Sequence, residues 1–259
     1  HTRCSRDWSS DVCSSDLAAR AGARVAYLSR LGQDTFGDAL AQLWADEGVD
    51  AGAVERDPAH PTGLYFVTHS SAGHAFSYLR AGSAASHMTP SWLQEVAMDY
   101  VRQCRILHVS GISLALSASA CDTGLEAMRA AREAGALVAF DPNLRLKLWP
   151  LARARACITE AVALCDIFLP GVDDMQALLG LDDPDAIADW SHAHGVRQVV
   201  VKMGKDGVLV SEGGQRQRVP GRVVQAVDAT GAGDCFDGNL LARLALGDAL
   251  VAEIGRAHV

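Results

Sequence analysis

Hydrophobic positions follow two alternating patterns along most of the chain. Short, continuously apolar runs predict strands, among them Arg24–Ser29, Ile106–Ser110 and Gln198–Lys202. Longer segments with apolar residues at helical spacing predict helices, among them Ser117–Ala134 and Leu151–Leu164. Apolar strands that alternate with helices are typical of a parallel sheet covered by helices on both faces. The pattern therefore predicts an α/β protein.

Residues 51–90 depart from this alternation. Gly63–Thr68 and Ala75–Leu79 predict two short strands on either side of the turn-forming residues 70–73, with no helix between them. This arrangement predicts a β-hairpin, and we expect it to form a small β-lid, at about residues 55–90, on the α/β body.

The two ends of the chain differ from the rest. Residues 1–17 have neither strand nor helix periodicity and contain Ser-Ser-Asp twice, which predicts a polar, disordered tail. The alternative hypothesis is that this tail and residues 253–259 are not native, because SRDWSSDVCSSDL resembles translated sequencing-adapter sequence. On that hypothesis a single domain, residues 18–252, is truncated at both ends and weakly active.

Composition limits the classes of function. A length of 259 residues, 49% of them hydrophobic, suits one large or two small domains with a sizeable core. The net charge of −8 argues against a nucleic-acid partner, and no apolar run approaches the roughly 20 residues of a membrane span. Seven scattered cysteines without a CxxC pair predict neither a disulfide framework nor a zinc site. We expect a cytoplasmic protein without nucleic-acid or membrane partners.

Several polar or turn-forming residues follow directly after predicted strands. Asp141, Pro170, Gly204 and Asp228 each lie just beyond a strand end. Ligands of parallel α/β sheets bind at the carboxyl ends of the strands. These four positions are therefore predicted to share one crevice.

The segment DATGAGD, residues 228–234, connects a predicted strand to the predicted helix 233–245. Its small residues Gly231, Ala232 and Gly233 allow a ligand to approach the backbone closely. Backbone N–H groups at a helix N-terminus favour anions. The segment therefore predicts a phosphate-binding cradle.

Asp234 is unusual in such a cradle, because its carboxylate would repel the phosphate. A phosphoryl-transfer enzyme needs a base that accepts the proton of the attacking hydroxyl, and Asp234 suits that role. The alternative is an Asp that caps the helix. Two rival motifs fail: residues 204–206 lack the Ser or Thr of a P-loop, and Phe236 replaces the third Gly of a dinucleotide fingerprint.

The segment VDATGAGDCFDG, residues 227–238, resembles the DTxGAGD signature of the PfkB-type, ribokinase-like carbohydrate kinases. The resemblance covers most of residues 18–250 and includes Arg30–Gly37, similar to GxDxFG, and Val199–Gly207. It implies a ribokinase-like three-layer α/β/α sandwich with a small β-lid. It also implies that the cofactors are ATP and Mg²⁺.

Nucleotide-binding positions follow from the same resemblance. They are Lys202, Gly204, Gly207 and Thr230. For Lys202 the residues alone favour a solvated lysine at a strand end. Gly171 and Asp174 replace the Asn and Glu of the NxxE element of the family, so we assign no metal ligand.

Within the family, three segments resemble 2-keto-3-deoxygluconate kinases: Thr62–Tyr65, Tyr78–Ser86 and Asp141–Arg145. This resemblance implies four substrate contacts. They are Tyr65, Tyr78, Arg80 and Arg145. A guanidinium group pairs with the carboxylate of a sugar acid through two parallel hydrogen bonds. Taken alone, the residues favour packing of the lid for the tyrosines and a solvated surface for the arginines.

The function implied is transfer of a phosphoryl group from ATP to the 6-hydroxyl of 2-keto-3-deoxygluconate. Asp234 would be the base, and the N–H groups of Gly231–Gly233 would stabilise the charge on the transferred group. The expected partners are the sugar acid and ATP, with a homo-oligomer through the lid as a further expectation. The alternatives are a kinase for a neutral sugar such as fructose or ribose, an inactive ligand-binding member, and a nicotinamide-dependent oxidoreductase.

Overall fold

Strands and helices alternate along most of the chain. The computed structural model describes residues 10–70, 73–222, 224 and 231–250. The strands are β1 (Ala26–Gly32), β2 (Asp50–Asp57), β3 (Leu64–Ser70), β4 (Gly73–Leu79), β5 (Ile106–Ser110), β6 (Leu137–Asp141), β7 (Ile167–Phe168), β8 (Gln198–Lys202), β9 (Val208–Glu212) and β10 (Gln215–Val219).

The longer helices lie between the strands, as the periodicity predicted. The α-helices are α1 (Ser10–Arg20), α2 (Thr35–Asp46), α3 (Pro90–Trp92), α4 (Met98–Gln103), α5 (Gly111–Ala115), α6 (Ala118–Glu133), α7 (Leu151–Leu164), α8 (Val172–Leu179), α9 (Pro184–Ala193) and α10 (Ala232–Leu246). Short 3₁₀ turns span Ala84–His87 and Gly204–Asp206, and a π-helical turn spans Leu93–Ala97.

The main sheet has six strands in the order β10-β9-β8-β7-β6-β5. Strands β5 to β8 are parallel, whereas β8, β9 and β10 are antiparallel neighbours. The predicted parallel arrangement therefore holds for β5 to β8 and does not extend to β9 and β10. A parallel neighbour needs a long crossover connection, and only a short turn at residues 203–207 separates β8 from β9.

The other strands that the structure describes form two smaller sheets. Strands β1 and β2 form a parallel pair, and the polar sequence of β2 (DAGAVERD) is the reason why hydrophobicity did not predict it. A cavity of about 1340 Å³ is lined by both β1 and β5. Strands β3 and β4 form the predicted antiparallel hairpin, in which Tyr65 pairs with Tyr78.

Helices cover both faces of the main sheet. On one face, Leu125 and Met128 of α6 belong to a large buried cluster. On the other face, Leu240 of α10 packs in a second cluster with Ile167 and Val200 of the sheet. Burial of these two apolar faces gives the predicted ribokinase-like three-layer α/β/α sandwich with a β-lid.

The start of the described chain differs from the predicted disordered tail, because Ser10–Arg20 is helical. Ser14 and Asp16 are buried in it, and α1 packs against α10 at Gly238, where a Cβ atom would lie 2.6 Å from the Ser14 carbonyl oxygen. Residues 1–9 and 253–259 lie outside the described residues, as does the predicted strand 223–227 apart from Val224. Whether the ends are native stays a prediction.

None of the helices described is long and apolar enough to cross a membrane.

Candidate active site

A cleft of about 940 Å³ opens at the carboxyl ends of β6 and β8, beside the first turn of α10. Its lining includes Asp141, Asn143, Arg145, Gly171, Asp173, Asp174, Lys202, Gly204, Arg218, Gly231, Gly233 and Asp234. The structure thus brings Asp141 and Gly204 into one crevice, as the strand ends predicted. Asp228 lies outside the described residues. For Pro170, it is the next residue, Gly171, that lines the cleft.

The first turn of α10 forms one wall of this cleft. Gly231 precedes the helix with a φ of 79°, a left-handed conformation that glycine adopts readily, and its position has no side-chain cap. The first N–H groups of a helix have no partner within the helix, so this turn presents donors that an anion can accept. Gly231, Gly233 and Asp234 line the cleft, while Ala232 is the first residue of the helix. Thr230 lies outside the described residues.

Lys202 is not solvated, which corrects the interpretation that its position alone favoured. Its Nζ atom lies 2.9 Å from Oδ2 of Asp141 and 2.8 Å from Oδ2 of Asp237, and its side chain is only 16% exposed. Asp237 is completely buried. The sequence offered no signal for this cluster, because its members are distant along the chain.

The protonation states within this cluster follow from burial and charge. Burial opposes ionisation of Asp141, but the Lys202 ammonium group and hydrogen bonds outweigh it, so the pKa of Asp141 is lowered. Burial also opposes the charge of Lys202, yet the two carboxyl groups raise the pKa of Lys202. Burial raises the pKa of Asp237 well above its ordinary value, and the neighbouring Asp141 charge adds to this. Of the two carboxyl groups, Asp237 therefore holds its proton more strongly than Asp141.

Asp174 is a second carboxyl group with a perturbed pKa. Burial raises the pKa of Asp174 to about 6, and the charge of Asp141 adds to this effect, while Arg145 opposes it. Arg145 lies at the same cleft and donates a hydrogen bond of 2.9 Å to the carbonyl oxygen of Leu144. A carboxyl group that titrates near neutrality in a cleft is typical of functional sites.

Among the described residues, no group of three or more His, Cys, Asp or Glu side chains could hold a metal ion. Mg²⁺ in phosphoryl-transfer sites needs no such cage, because it keeps several waters and binds one or two carboxylates together with phosphate oxygens. Asp174 fits this mode, since a buried carboxylate with a raised pKa gains from a nearby cation.

The lid holds the other predicted substrate residues. The Tyr65 and Tyr78 rings lie 6.3 Å apart, and the Arg80 guanidinium carbon lies 5.8 Å and 5.1 Å from their centroids. Arg80 lines the cavity between β1 and β5, whereas Arg145 lines the cleft at α10. The structure therefore groups three of the four predicted contacts and places the fourth, Arg145, in the separate cleft at α10.

The two predicted glycines of the β8–β9 turn differ in role. Gly204 lines the cleft. Gly207 has a φ of 93°, and a Cβ atom there would collide with the carbonyl oxygen of Val219. Close backbone packing therefore explains the glycine at 207.

An α/β sandwich with a β-lid, and a helix N-terminus that presents a carboxylate at a large cleft beyond the strand ends, are features of a sugar kinase. The profile of the pfkB family carbohydrate kinases matches residues 11–259. The chain belongs to this family.

Individual relatives agree with this assignment. The chain is 37% identical over 222 residues to 2-dehydro-3-deoxygluconokinase of Bacillus subtilis, covering 84% of this chain and 68% of the relative. It is 34% identical over 242 residues to Fructokinase-2 of Solanum habrochaites, covering 92% and 72%. It is similar to the structure of Ribokinase II from E. coli in complex with ATP and Mg²⁺, with a TM-score of 0.88, 26% identity, and coverage of 97% and 80%.

Proposed function

We propose that the protein transfers the γ-phosphoryl group of ATP to the 6-hydroxyl of 2-keto-3-deoxygluconate. The observation on which this depends is the Arg80 guanidinium group stacked over the Tyr65 and Tyr78 rings of the lid. Cation–π contacts restrict the orientation of a guanidinium plane. A fixed guanidinium edge suits the planar carboxylate of a sugar acid, and a neutral sugar has no such group.

In this proposal Asp234 is the general base. Asp234 lies in the cleft at the start of α10, next to the N–H groups that would bind the transferred phosphoryl group. The Asp234 carboxylate accepts the proton of the 6-hydroxyl as its oxygen forms a bond to the γ-phosphorus. The bond between that phosphorus and the bridging oxygen of ATP breaks, and ADP leaves.

The backbone stabilises the charge of the transferred group. The N–H groups at the Gly231–Gly233 turn donate to its equatorial oxygens, where negative charge is spread during transfer. The lid excludes water, which otherwise accepts the phosphoryl group.

Mg²⁺, when bound with ATP, neutralises charge on the phosphate oxygens. Asp174, which lines the cleft, would hold it directly or through water. Arg145 lies near this carboxylate, so it can orient either the sugar acid or the phosphates.

The substrate is tested by steady-state kinetics with 2-keto-3-deoxygluconate, fructose and ribose at saturating ATP and Mg²⁺. We expect the sugar acid to have the highest kcat/KM. Arg80→Met should raise KM for the sugar acid by about 10–150-fold, from the loss of about 1.5–3 kcal/mol of charge-assisted hydrogen bonding. The matched control is Arg102→Met, which removes an exposed guanidinium group from α4.

A second candidate is fructose, because fructokinases lie within a few percent identity of the sugar-acid kinases among the relatives. A higher kcat/KM for fructose than for the sugar acid, together with a KM for the sugar acid that Arg80→Met leaves unchanged, would assign the protein to fructokinase activity instead.

A further inference from the structure

A largely buried ion-pair cluster, two members of which line the cleft, joins three separate segments. We name it the lysine cluster: Lys202 at the end of β8, Asp141 at the end of β6 and Asp237 in α10. The Lys202 ammonium group lies 2.9 Å from Asp141 and 2.8 Å from Asp237. One buried cation therefore links two strand ends of the sheet to the helix that begins with the GAGD motif.

Lys202 is also close to the motif itself. A Cβ atom built on Gly233 would lie 3.8 Å from Nζ of Lys202, so the ammonium group lies next to the first turn of α10. The Lys202 backbone N–H donates to the carbonyl oxygen of Pro170 at 2.7 Å. Lys202 is thus fixed to the sheet through its backbone and to α10 through its side chain.

Hydrophobic packing also holds the start of α10, since Phe236 packs against the second buried cluster and α1 packs along α10. Gly231 provides no side-chain cap, and the close packing of α10 against α1 occurs further along, at Gly238. Asp237 lies four residues, about one helical turn, after Gly233. The pairing of Asp237 with Lys202 therefore adds a buried polar link between the start of α10 and the strand ends of the sheet.

We propose that Lys202 is a positioning residue for phosphoryl transfer, whose ammonium group holds the first turn of α10 against β6 and β8. By this arrangement Gly231, Gly233 and Asp234 keep their places in the cleft. The inference rests on the proposed roles of Asp234 and of the N–H groups. It assigns Lys202 to the support of the phosphate cradle and not to direct binding of phosphate.

The two carboxyl groups of the cluster have different roles, which gives the proposal a sharp test. Oδ1 of Asp141 accepts from the Asn143 backbone N–H at 3.0 Å and Oδ2 accepts from Lys202, so both oxygens must be acceptors. Oδ2 of Asp237 accepts from Lys202 at 2.8 Å, and Oδ1 of Asp237 is buried without a hydrogen-bond partner among the described residues. An Asn at 237 can still accept from Lys202 and loses no other described hydrogen bond, whereas an Asn at 141 must direct a donor at another donor.

The experiment compares Lys202→Met, Asp141→Asn and Asp237→Asn with the parent protein. We measure kcat, KM and thermal melting, and amide hydrogen exchange in peptides that cover the first turn of α10. Lys202→Met and Asp141→Asn should lower kcat on the order of 10–100-fold with little change in the KM of the sugar, and should speed exchange at the start of α10. Asp237→Asn should stay within about threefold of the parent in kcat and show parent-like exchange.

Equal damage from Asp237→Asn and Asp141→Asn would overturn the proposal, as would parent-like exchange and kcat in Lys202→Met. If Lys202→Met does not fold, the comparison of Asp141→Asn with Asp237→Asn decides the role of Lys202, because each of these variants replaces only one carboxyl oxygen by an amide nitrogen. Hydrogen exchange is measured without sugar, so it tests the role of Lys202 separately from the proposed kinase activity. An inactive parent, or an active Asp234→Asn variant, refutes the proposed function, whereas the exchange pattern alone decides the role of Lys202.

Discussion

Replacement of Asp174 by Asn should stabilise the protein at neutral and alkaline pH while lowering its activity. Asp174 is a partly buried carboxyl group near Asp141, and its pKa is raised from 3.8 to about 6. The folded protein therefore holds the Asp174 proton more tightly than the unfolded chain. Stability falls as pH rises through the window from about 4 to 6, and the loss persists above it.

The size of the effect follows from the shift in pKa. A shift of about 2 units corresponds to about 3 kcal/mol at 1.36 kcal/mol per unit. Asn does not titrate and can still accept the backbone hydrogen bond from Leu144. The advantage of Asp174→Asn should thus be about 1 kcal/mol near pH 4.5 and about 3 kcal/mol near pH 8. For a protein of this size, about 3 kcal/mol corresponds to a rise in Tm of about 6–12 °C.

The assay is thermal unfolding of both proteins at the two pH values, with EDTA and without nucleotide. Asp173→Asn is the matched control, because Asp173 is the exposed neighbour of Asp174 in the first turn of α8. The control should show no pH-dependent difference from the parent. A difference in Tm between Asp174→Asn and the parent that is independent of pH would refute the argument, as would destabilisation near pH 8.

Three further outcomes are expected. Asp234→Asn should lower kcat by about 10²–10⁴-fold, as loss of a general base does, with melting near that of the parent; activity within about threefold would exclude Asp234 as the base. Arg145→Ala should cost about 1.5–3 kcal/mol in binding of the sugar acid, raising its KM far more than that of ATP; equal effects on both would place Arg145 at the phosphates. Gly207→Ala should lower Tm more than Gly213→Ala, because both glycines have positive φ but only the Cβ atom at 207 collides with Val219; similar melting of the two variants would contradict the packing at this turn.

The sequence was sufficient for those features that depend on neighbouring residues. The apolar runs of β5, β6 and β8, the long helices α6 and α7, and the β3–β4 hairpin each have a local periodicity that follows from burial of one face or both. The GAGD motif is likewise local, since glycines and an acid at a helix start lie within seven residues. These signals predicted the α/β class, the lid and the cleft beside α10.

Only the tertiary structure decided how distant groups meet. Lys202 is 61 residues from Asp141 and 35 from Asp237, so no local pattern could show that a lysine at a strand end is buried between two carboxyl groups. The antiparallel course of β9 and the helical state of Ser10–Arg20 likewise depend on the neighbours against which they pack. Propensity and periodicity describe one element at a time. The burial of a charge, and hence its pKa and its role, is set by groups that the fold brings together from several elements.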